Sequence, residues 1–282
     1  MTEVLVIANQ TLAGHKLLEA VRERAAKGDV HFRLVVPITR PSAGLVIYDD
    51  AVRDATQVRV DLALSVLAAE GVSASGEVGD TDPYSAAHDA IGAHGRPDEI
   101  IVSTKPAESS GWLRRDLIER MRAGTGVPVS HIVTDLDQED VPFNVTLVVA
   151  NRTSSGEELV EHLVAKSASD KEHLFIGVVP QQSGDGAAAK HARERLAAML
   201  HRLHGAGLLA SGMIGDPDPY TATVNALELF RVGEVVISTL PDERSGWLRS
   251  DLIGRVRKAT PLPVEHIVVS DEAAASTTTA GH

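Results

Sequence analysis

The chain contains no cysteine. Disulfide bonds and thiolate metal sites are therefore excluded, and the core must be held together by the burial of apolar side chains alone. Hydrophobic residues make up 43% of the 282 residues, which is sufficient for such a core. Because no motif typical of a metal site is present either, the sequence predicts no bound structural metal.

Positive charge is also scarce, since 27 lysines and arginines face 39 acidic residues and leave a net charge of −12. Such a chain offers no broad cationic surface to a phosphate backbone, so we expect no nucleic-acid partner. No apolar run approaches the roughly 18–20 residues of a membrane span, and we expect no membrane association. The opening MTEVLVIAN lacks the features of a secretory signal, which favours a cytoplasmic location.

What the sequence does contain is an internal repeat. The segment GDTDPY at 79–84 returns as GDPDPY at 215–220, and STKPAESSGWLRRDLIERMR at 103–122 returns as STLPDERSGWLRSDLIGRVR at 238–257. Matches of this length indicate a duplicated domain. We therefore predict one domain over residues 1–138, a second over 144–271, and a disordered tail over the small, polar residues 272–282.

Within each copy, short β-rich runs alternate with helical segments. The first run, Val4–Ala8 and its counterpart Leu147–Ala150, is apolar on both faces, which is typical of a central strand in a parallel sheet. Five strands and four helices per copy predict an α/β fold, namely a doubly wound parallel sheet with right-handed crossovers. In such sheets ligands bind outside the carboxyl ends of the strands, here between strands one and four.

Short signals mark where individual helices and strands begin. The pairs Asp82-Pro83 and Asp218-Pro219 have the residue order of a helix start, with aspartate as the N-cap and proline at the first helical position. A proline precedes strand five in both copies and blocks continuation of the preceding helix.

The order of these features resembles the universal stress protein family over nearly the whole chain. The features are strand ends with a polar and a hydroxyl residue, Val-Val-Pro at the end of strand two, the Gly-Asp turn, the Ser-Gly before a basic helix, and Pro-Val before strand five. The resemblance implies two tandem five-stranded sheets of the Rossmann-like, adenine nucleotide alpha hydrolase-like type, with strand order 3-2-1-4-5. It also implies an internal pseudo-dimer of the two domains, a further homodimer, and a bound ATP or AMP with magnesium.

The chain departs from the family pattern at two places. Asn9 and Asn151 stand where ATP-binding members have an aspartate, so an acceptor-only carboxylate becomes an amide that also donates. The loop after strand four contains Pro106 and Pro241 where the family has glycines, and proline removes an amide donor. Gly254 fits the far end of the glycine motif in the second copy only, which favours that copy as the binding one.

An anion site remains at the helix that follows strand four. Ser110 and Gly111, like Ser245 and Gly246, come just before this helix, whose free amides and dipole attract negative charge. Arg114 and Arg249 follow within one turn, and Thr104 and Thr239 end the neighbouring strand. The alternative is structural: the serines cap the helix, the glycines form the turn, and Asp116 and Asp251 pair with Arg120 and Arg255 at i+4.

The predicted ligand contacts are therefore the same in both copies. Asn9 and Asn151 would meet the base or ribose, and the Ser-Gly turns would meet phosphate. The full set is Asn9, Val36, Thr104, Ser110, Gly111 and Arg114 in one copy, and Asn151, Val179, Thr239, Ser245, Gly246 and Arg249 in the other.

Other repeated residues have structural interpretations. Trp112 and Trp247, the only tryptophans, suit packing of the fourth helix better than stacking on a base. His131 and His266 recur in strand five at the sheet edge, where we expect a seam between units.

Three hypotheses follow for the function. The first is a tandem universal-stress-type protein that binds a nucleotide or another anionic small molecule without catalysis, in a stress or signalling role. The second is a ligand-free α/β scaffold that acts through protein–protein interaction. The third, an ATP-hydrolysing enzyme, is the weakest because no nucleophile elbow, zinc motif or phosphate loop is present.

Overall fold

The structure is a computed structural model that describes residues 1–38, 49–106, 112, 116–136, 138, 142–183, 186–241 and 246–270. The chain divides into two compact units: the first contains residues 1–42 and 52–142, and the second contains residues 43–51 and 143–282. The tail predicted over 272–282 lies outside the described residues. Among those described, no helix has the length and apolar character needed to cross a membrane.

The first unit is a parallel sheet in the order β3-β2-β1-β4-β5. Its elements are β1 (Thr2–Ile7), α1 (His15–Ala25), β2 (Val30–Pro37), α2 (Asp49–Ala69), β3 (Ala74–Gly79), α3 (Pro83–His94), β4 (Glu99–Thr104), α4 (Leu117–Thr125) and β5 (Val129–Val133). A short 3-10 turn over Gln10–Ala13 precedes α1. Gly14 has an extended backbone, and α1 therefore begins at His15.

The second unit repeats this arrangement as β8-β7-β6-β9-β10. Its elements are β6 (Phe143–Val149), α5 (Glu157–Ser167), β7 (Glu172–Pro180), α6 (Gly186–Gly205), β8 (Leu209–Gly215), α7 (Pro219–Leu229), β9 (Glu234–Thr239), α8 (Gly246–Arg249), α9 (Leu252–Ala259) and β10 (Val264–Val268). The predicted fold class, two doubly wound five-stranded parallel sheets with order 3-2-1-4-5, is confirmed.

Burial follows the apolar runs that predicted the central strands. Val4, Leu5, Val6 and Ile7 are each at most 2% exposed, so both faces of β1 are covered. In β6 the strand begins at Phe143, four residues before the predicted start, because Asn144 still pairs in register with β7. The apolar run thus marks only part of β6, because polar residues at the start of the strand belong to it as well.

The start of the third helix in each unit has the predicted cap. The Asp82 carboxylate accepts from the Ser85 amide at 3.2 Å, and the Asp218 carboxylate accepts from the Thr221 amide at 3.0 Å. Proline follows each aspartate at the first helical position. These contacts account for the Asp-Pro pair that both copies contain.

At the amino end of the first sheet, an ion pair joins α1 to β4, and a serine of β5 contacts it. Arg24 donates to both carboxylate oxygens of Glu99, at 2.8 and 2.6 Å, and Ser130 Oγ donates to the same carboxylate at 2.7 Å. The hydrogen bonds from Arg24 are the main reason why the pKa of Glu99 lies below its ordinary value.

The second unit fills the same position with different side chains. Lys166 Nζ donates to Glu234 at 2.8 Å and to Glu265 at 3.0 Å. His162 Nε2 lies 2.9 Å from the Glu265 carboxylate. The serine of the first unit is thus replaced by a second carboxylate, and a lysine and a histidine stabilise it.

Candidate functional site

The carboxyl edge of each sheet contains an asparagine directly after the central strand. Asn9 Nδ2 donates to the carbonyl of Pro37, and Asn151 Nδ2 donates to the carbonyl of Pro180 at 3.1 Å. Both prolines end the neighbouring strand, β2 or β7. A carboxylate could not donate this bond, so the asparagine amide ties two strand ends together.

A hydroxyl residue two positions later makes a second tie. Thr11 Oγ1 donates to the Ser103 carbonyl at 3.2 Å, and Thr153 Oγ1 donates to the Ser238 carbonyl at 3.1 Å. Ser103 and Ser238 lie near the ends of β4 and β9, on the other side of the central strand. The loop after strand one is therefore fixed to both of its neighbours at the place where the winding direction reverses.

The threonines predicted to contact phosphate are engaged with histidines. Thr104 Oγ1 donates to the Lys105 carbonyl at 2.9 Å, and His131 Nε2 lies 2.9 Å from the same hydroxyl. Because a hydroxyl has one proton and the carbonyl takes it, the imidazole is the donor of the second bond. Burial, with a smaller effect from the charge of Arg122, lowers the pKa of His131.

The second unit repeats this contact. Thr239 Oγ1 donates to the Leu240 carbonyl at 2.9 Å and lies 2.8 Å from His266 Nε2. The histidines of strand five thus position the last residue of strand four within their own unit. Their expected place at a seam between units stays a prediction.

The other predicted ligand residues fall into three groups. Val36 and Val179 are fully buried, at 0% exposure, so their side chains belong to the core. Gly246 is exposed at the first position of α8, and Arg249 ends that helix with a side chain outside the described part. The remaining residues also lie outside it, and the phosphate site that they would form stays a prediction: Ser110, Gly111, Arg114 and Ser245.

The two arginines that were expected to pair with aspartates at this helix contact tyrosine rings instead. Arg120 lies over the ring of Tyr84 at 4.4 Å, and Arg255 lies over Tyr220 at 4.1 Å, instead of binding the aspartate one turn earlier. Those aspartates, Asp116 and Asp251, are the only non-glycine residues of the described chain with positive φ. An ideal Cβ on Gly254 would lie 2.5 Å from the Asp251 carboxylate, so this glycine makes room for the aspartate.

Trp112 is half-buried and packs against the core of the first unit, as expected for a packing residue. Its counterpart Trp247 is half-buried as well. Neither observation favours a stacking platform for a base.

The second unit has a cleft of about 430 Å³ at the carboxyl end of β6. The loop after β6 contributes Arg152, Ser154 and Ser155, and the first half of α6 contributes His191 and Glu194. Gln182, which follows β7, completes the polar lining. The cleft therefore lies on the α6 side of the central strand, whereas the sequence predicted a crevice between strands one and four.

Arg195 connects this cleft to the strand end. Its Nη1 donates to Asn151 Oδ1 at 2.9 Å, so one asparagine binds both Pro180 and the guanidinium. No carboxylate pairs with Arg195 within the part of the chain that the structure describes. Because a guanidinium has five N–H donors, several remain for an anion in the cleft.

Arg195 is not among the ligand contacts predicted from the sequence, although the sequence contains a signal for it. Arg59 and Arg195 occupy the same place in the two copies, twenty residues before Gly79 and Gly215. A recurrent arginine within an otherwise divergent helix is informative, but its partner Asn151 lies 44 positions earlier and becomes its neighbour only in the fold.

Comparison with known proteins gives matches at the level of structure only. No family model matches the chain, and no curated protein matches it. The chain is similar to a solved universal stress protein from Archaeoglobus fulgidus DSM 4304, with a TM-score of 0.35, 16% identity, and coverage of 96% of this chain and 97% of that one.

Two further structures show weaker similarity. Histidinol dehydrogenase from Elizabethkingia anophelis has a TM-score of 0.28 and 14% identity, over 97% of this chain and 54% of that one. A multidomain structure of a keto acid-selecting NRPS module has a TM-score of 0.22 and 9% identity, over 89% of this chain and 28% of that one. The functional interpretation therefore depends on the geometry of the site.

Proposed function

We propose that the chain is a tandem universal-stress-type protein that binds a nucleotide or another anionic small molecule without catalysing a reaction, in a stress or signalling role. The observation that carries this proposal is Arg195, which is held by Asn151 and lines the cleft of the second unit. A guanidinium that is already oriented binds an anion with little loss of side-chain freedom. ATP and AMP, with magnesium, are the first ligands to test.

The size and lining of the cleft support a small-molecule ligand. Its volume of about 430 Å³ lies within the usual range of roughly 300–1,000 Å³ for ligand sites. Among the described residues that line it are two arginines, a histidine and one carboxylate, that of Glu194. Glu194 lies 4.0 Å from Lys190 on the same helix, which further reduces the negative charge that a ligand meets.

The state of the hydroxyl groups favours binding over catalysis. Thr104 and Thr239 each lie beside a histidine, as a nucleophile lies beside a base. However, each hydroxyl donates its proton to a backbone carbonyl and accepts from the imidazole. This is the opposite polarity to general-base activation, in which the imidazole must accept the hydroxyl proton.

A thermal-shift panel tests the proposal. ATP, ADP, AMP and cyclic AMP with magnesium, together with pyrophosphate, should include at least one compound that raises the melting temperature. Binding to the folded state alone stabilises by about 2.7 kcal/mol at a ligand concentration 100 times Kd. The Arg195→Ala variant should lose this shift, whereas Arg193→Ala, which removes an exposed charge two residues away, should retain it.

A flat panel, with no nucleotide released on acid extraction, would favour the scaffold instead. One observation supports that second candidate: the edge strands β5 and β10 end in valines that stay 39% and 49% exposed, Val133 and Val268. An edge strand with an apolar side chain is suited to pairing with another strand. In this candidate the edges hold the pseudo-dimer or a further homodimer together.

Lysine substitutions test whether the chain assembles through these edge strands. Val133→Lys and Val268→Lys should reduce self-association in sedimentation velocity experiments if the edges pair, because the buried ammonium groups would destabilise the contact. The matched control is Gln57→Lys, which adds the same charge on the exposed face of α2. Glu265→Lys is unsuitable as a control, because it removes a hydrogen-bond partner of Lys166. An unchanged oligomeric state in both valine variants would remove the edges as the interface.

A further inference from the structure

The helices α2 and α6 hold the same register against their sheets, which allows residue-by-residue comparison. An ideal Cβ on Gly76 in β3 would lie 2.8 Å from Val60, and one on Gly212 in β8 would lie 2.8 Å from Leu196. In each unit, the helix residue precedes its glycine by the same number of residues in the sequence. The face of α6 that lines the cleft therefore has a definite counterpart on α2.

That counterpart has the opposite character. Where α6 has His191, Glu194 and Ala198, all exposed, α2 has an alanine, a valine and a leucine. These three residues are 0%, 1% and 7% exposed: Ala55, Val58 and Leu62. The same helix face is thus apolar and covered in the first unit, but polar and accessible in the second.

The loop after the central strand has changed in the same direction. The residues Arg152, Ser154 and Ser155 in the second unit correspond to Gln10, Leu12 and Ala13 in the first. The threonine between them, Thr11 or Thr153, keeps its hydrogen bond to the end of strand four in both units. The divergence is therefore confined to the side chains that face the cleft, while the contacts that fix the loop are retained.

The arginine common to both helices has different surroundings. Burial lowers the pKa of the Arg59 guanidinium to about 10, although both arginines are half-buried as whole residues. Arg195 differs in that its guanidinium binds Asn151 and lines the cleft of the second unit.

We propose that the cleft between the β6–α5 loop and α6 is a phosphate-binding site specific to the second unit, in which Arg152 and Arg195 contact the phosphate groups of a small molecule. This inference rests on the proposed function and names its site, its ligand class and the unit that carries it. No phenylalanine, tyrosine or tryptophan is among the described residues that line the cleft. Recognition is therefore through charge, and the phosphate groups contribute more to affinity than a base does.

Titration calorimetry with pyrophosphate tests this site. The wild-type chain should bind pyrophosphate, and Ala198→Leu should weaken binding at least tenfold, because it places the leucine of the first unit into the cleft. Arg152→Gln, which also copies the first unit, should weaken binding about tenfold by removing a charge-assisted contact. Arg193→Gln removes the same charge from the exposed face of α6 outside the cleft and should change affinity less than about twofold.

Both cleft variants copy residues that the first unit already accommodates, and circular dichroism would verify that they fold. If pyrophosphate or a nucleotide binds and neither Ala198→Leu nor Arg152→Gln weakens it, the cleft is not the site, although the proposed function stands. If a nucleoside without phosphate binds as tightly as its nucleotide, the phosphate assignment is wrong. If no compound binds the wild-type chain at all, both the site and the proposed function fail.

Discussion

His131 Nε2 lies 2.9 Å from Thr104 Oγ1, and the imidazole is the donor of this hydrogen bond. His266 and Thr239 repeat the contact at 2.8 Å in the second unit. The contact joins an edge strand to the last residue of its neighbour, at the edge of the sheet where ligands bind. Its strength therefore affects both stability and the shape of the site.

The pH dependence of stability should reveal this histidine. Burial lowers the pKa of His131, so the imidazole remains neutral to lower pH in the folded chain than in the unfolded one. The unfolded chain therefore binds the proton first. The stabilising contribution of neutral His131 should be complete above pH 6.5, which is the ordinary pKa of a histidine. It should decrease as the pH falls through 6.5 toward the pKa of His131 in the folded chain.

Urea denaturation at pH 5.5 and pH 7.5 measures this effect. From pH 7.5 to pH 5.5, the free energy of unfolding should fall less in His131→Gln than in the wild type, because glutamine keeps a donor but does not titrate. An imidazole NMR signal that titrates above pH 6.5 in the folded chain would contradict the prediction.

The ion pair at the amino end of the first sheet should contribute measurably to stability. Glu99→Gln leaves the Arg24 guanidinium partly buried without a carboxylate, and should destabilise the chain by about 1–3 kcal/mol in urea denaturation. Because the pKa of Glu99 is lowered by Arg24, the contribution is present above the ordinary pKa of a glutamate and is lost as the pH falls through the folded value.

Glu70→Gln, which removes the partner of the more exposed Arg22, is the matched control. It should cost less than about 1 kcal/mol, since surface ion pairs contribute little. Equal losses in the two variants would show that the burial of Arg24 has no energetic weight.

Equivalent serines in the two units should respond differently to substitution. Ser103 Oγ lies 3.3 Å from Thr134 Oγ1, whereas the corresponding position in the second unit is Val269. Ser238 Oγ is buried and has no hydrogen-bond partner among the described residues. Ser103→Ala should therefore destabilise by about 1 kcal/mol, and Ser238→Ala should be neutral or stabilising.

Thermal denaturation of the two alanine variants in parallel is a sufficient measurement. Val269→Thr provides a further check, because it supplies a hydroxyl where the first unit has that of Thr134. In this background Ser238→Ala should lower the melting temperature. If Ser238→Ala is as costly as Ser103→Ala in the wild type, a partner for Ser238 must exist.

The left-handed backbone of Asp251 should restrict which residues are tolerated there. Its φ is 51° and its ψ is 40°, a conformation that asparagine and glycine adopt readily and β-branched residues avoid. Asp251→Asn should change stability by less than about 0.5 kcal/mol, and Asp251→Val should destabilise by about 1–2 kcal/mol. Calorimetry of both variants decides this, and similar melting temperatures would mean that the turn adopts another conformation.

The fold could be predicted from the sequence because its signals are local and occur twice. Asp82-Pro83 and Asp218-Pro219 mark helix starts from adjacent residues alone, and the apolar run at Val4 identifies a central strand. The alternation of strands and helices predicted the doubly wound parallel sheet, whereas the strand order was implied by the family resemblance. Such features need no knowledge of distant contacts.

The site was less accessible to prediction, because its contacts join distant residues. The family resemblance identified Asn9 and Asn151, but their amides bind Pro37 and Pro180, which lie 28 and 29 residues later. Thr104 was correctly placed at a strand end, yet its partner His131 comes from the next strand. The cleft itself depends on which face of α6 is covered, and helix periodicity does not specify this for a helix so rich in alanine.

Each of the two sheets takes all five strands from one half of the chain. The backbone hydrogen bonds of one half therefore do not depend on the side chains of the other. A gene with this organisation can accumulate changes around one cleft while the sister half continues to fold, which is the condition under which a duplicated domain acquires a new specificity.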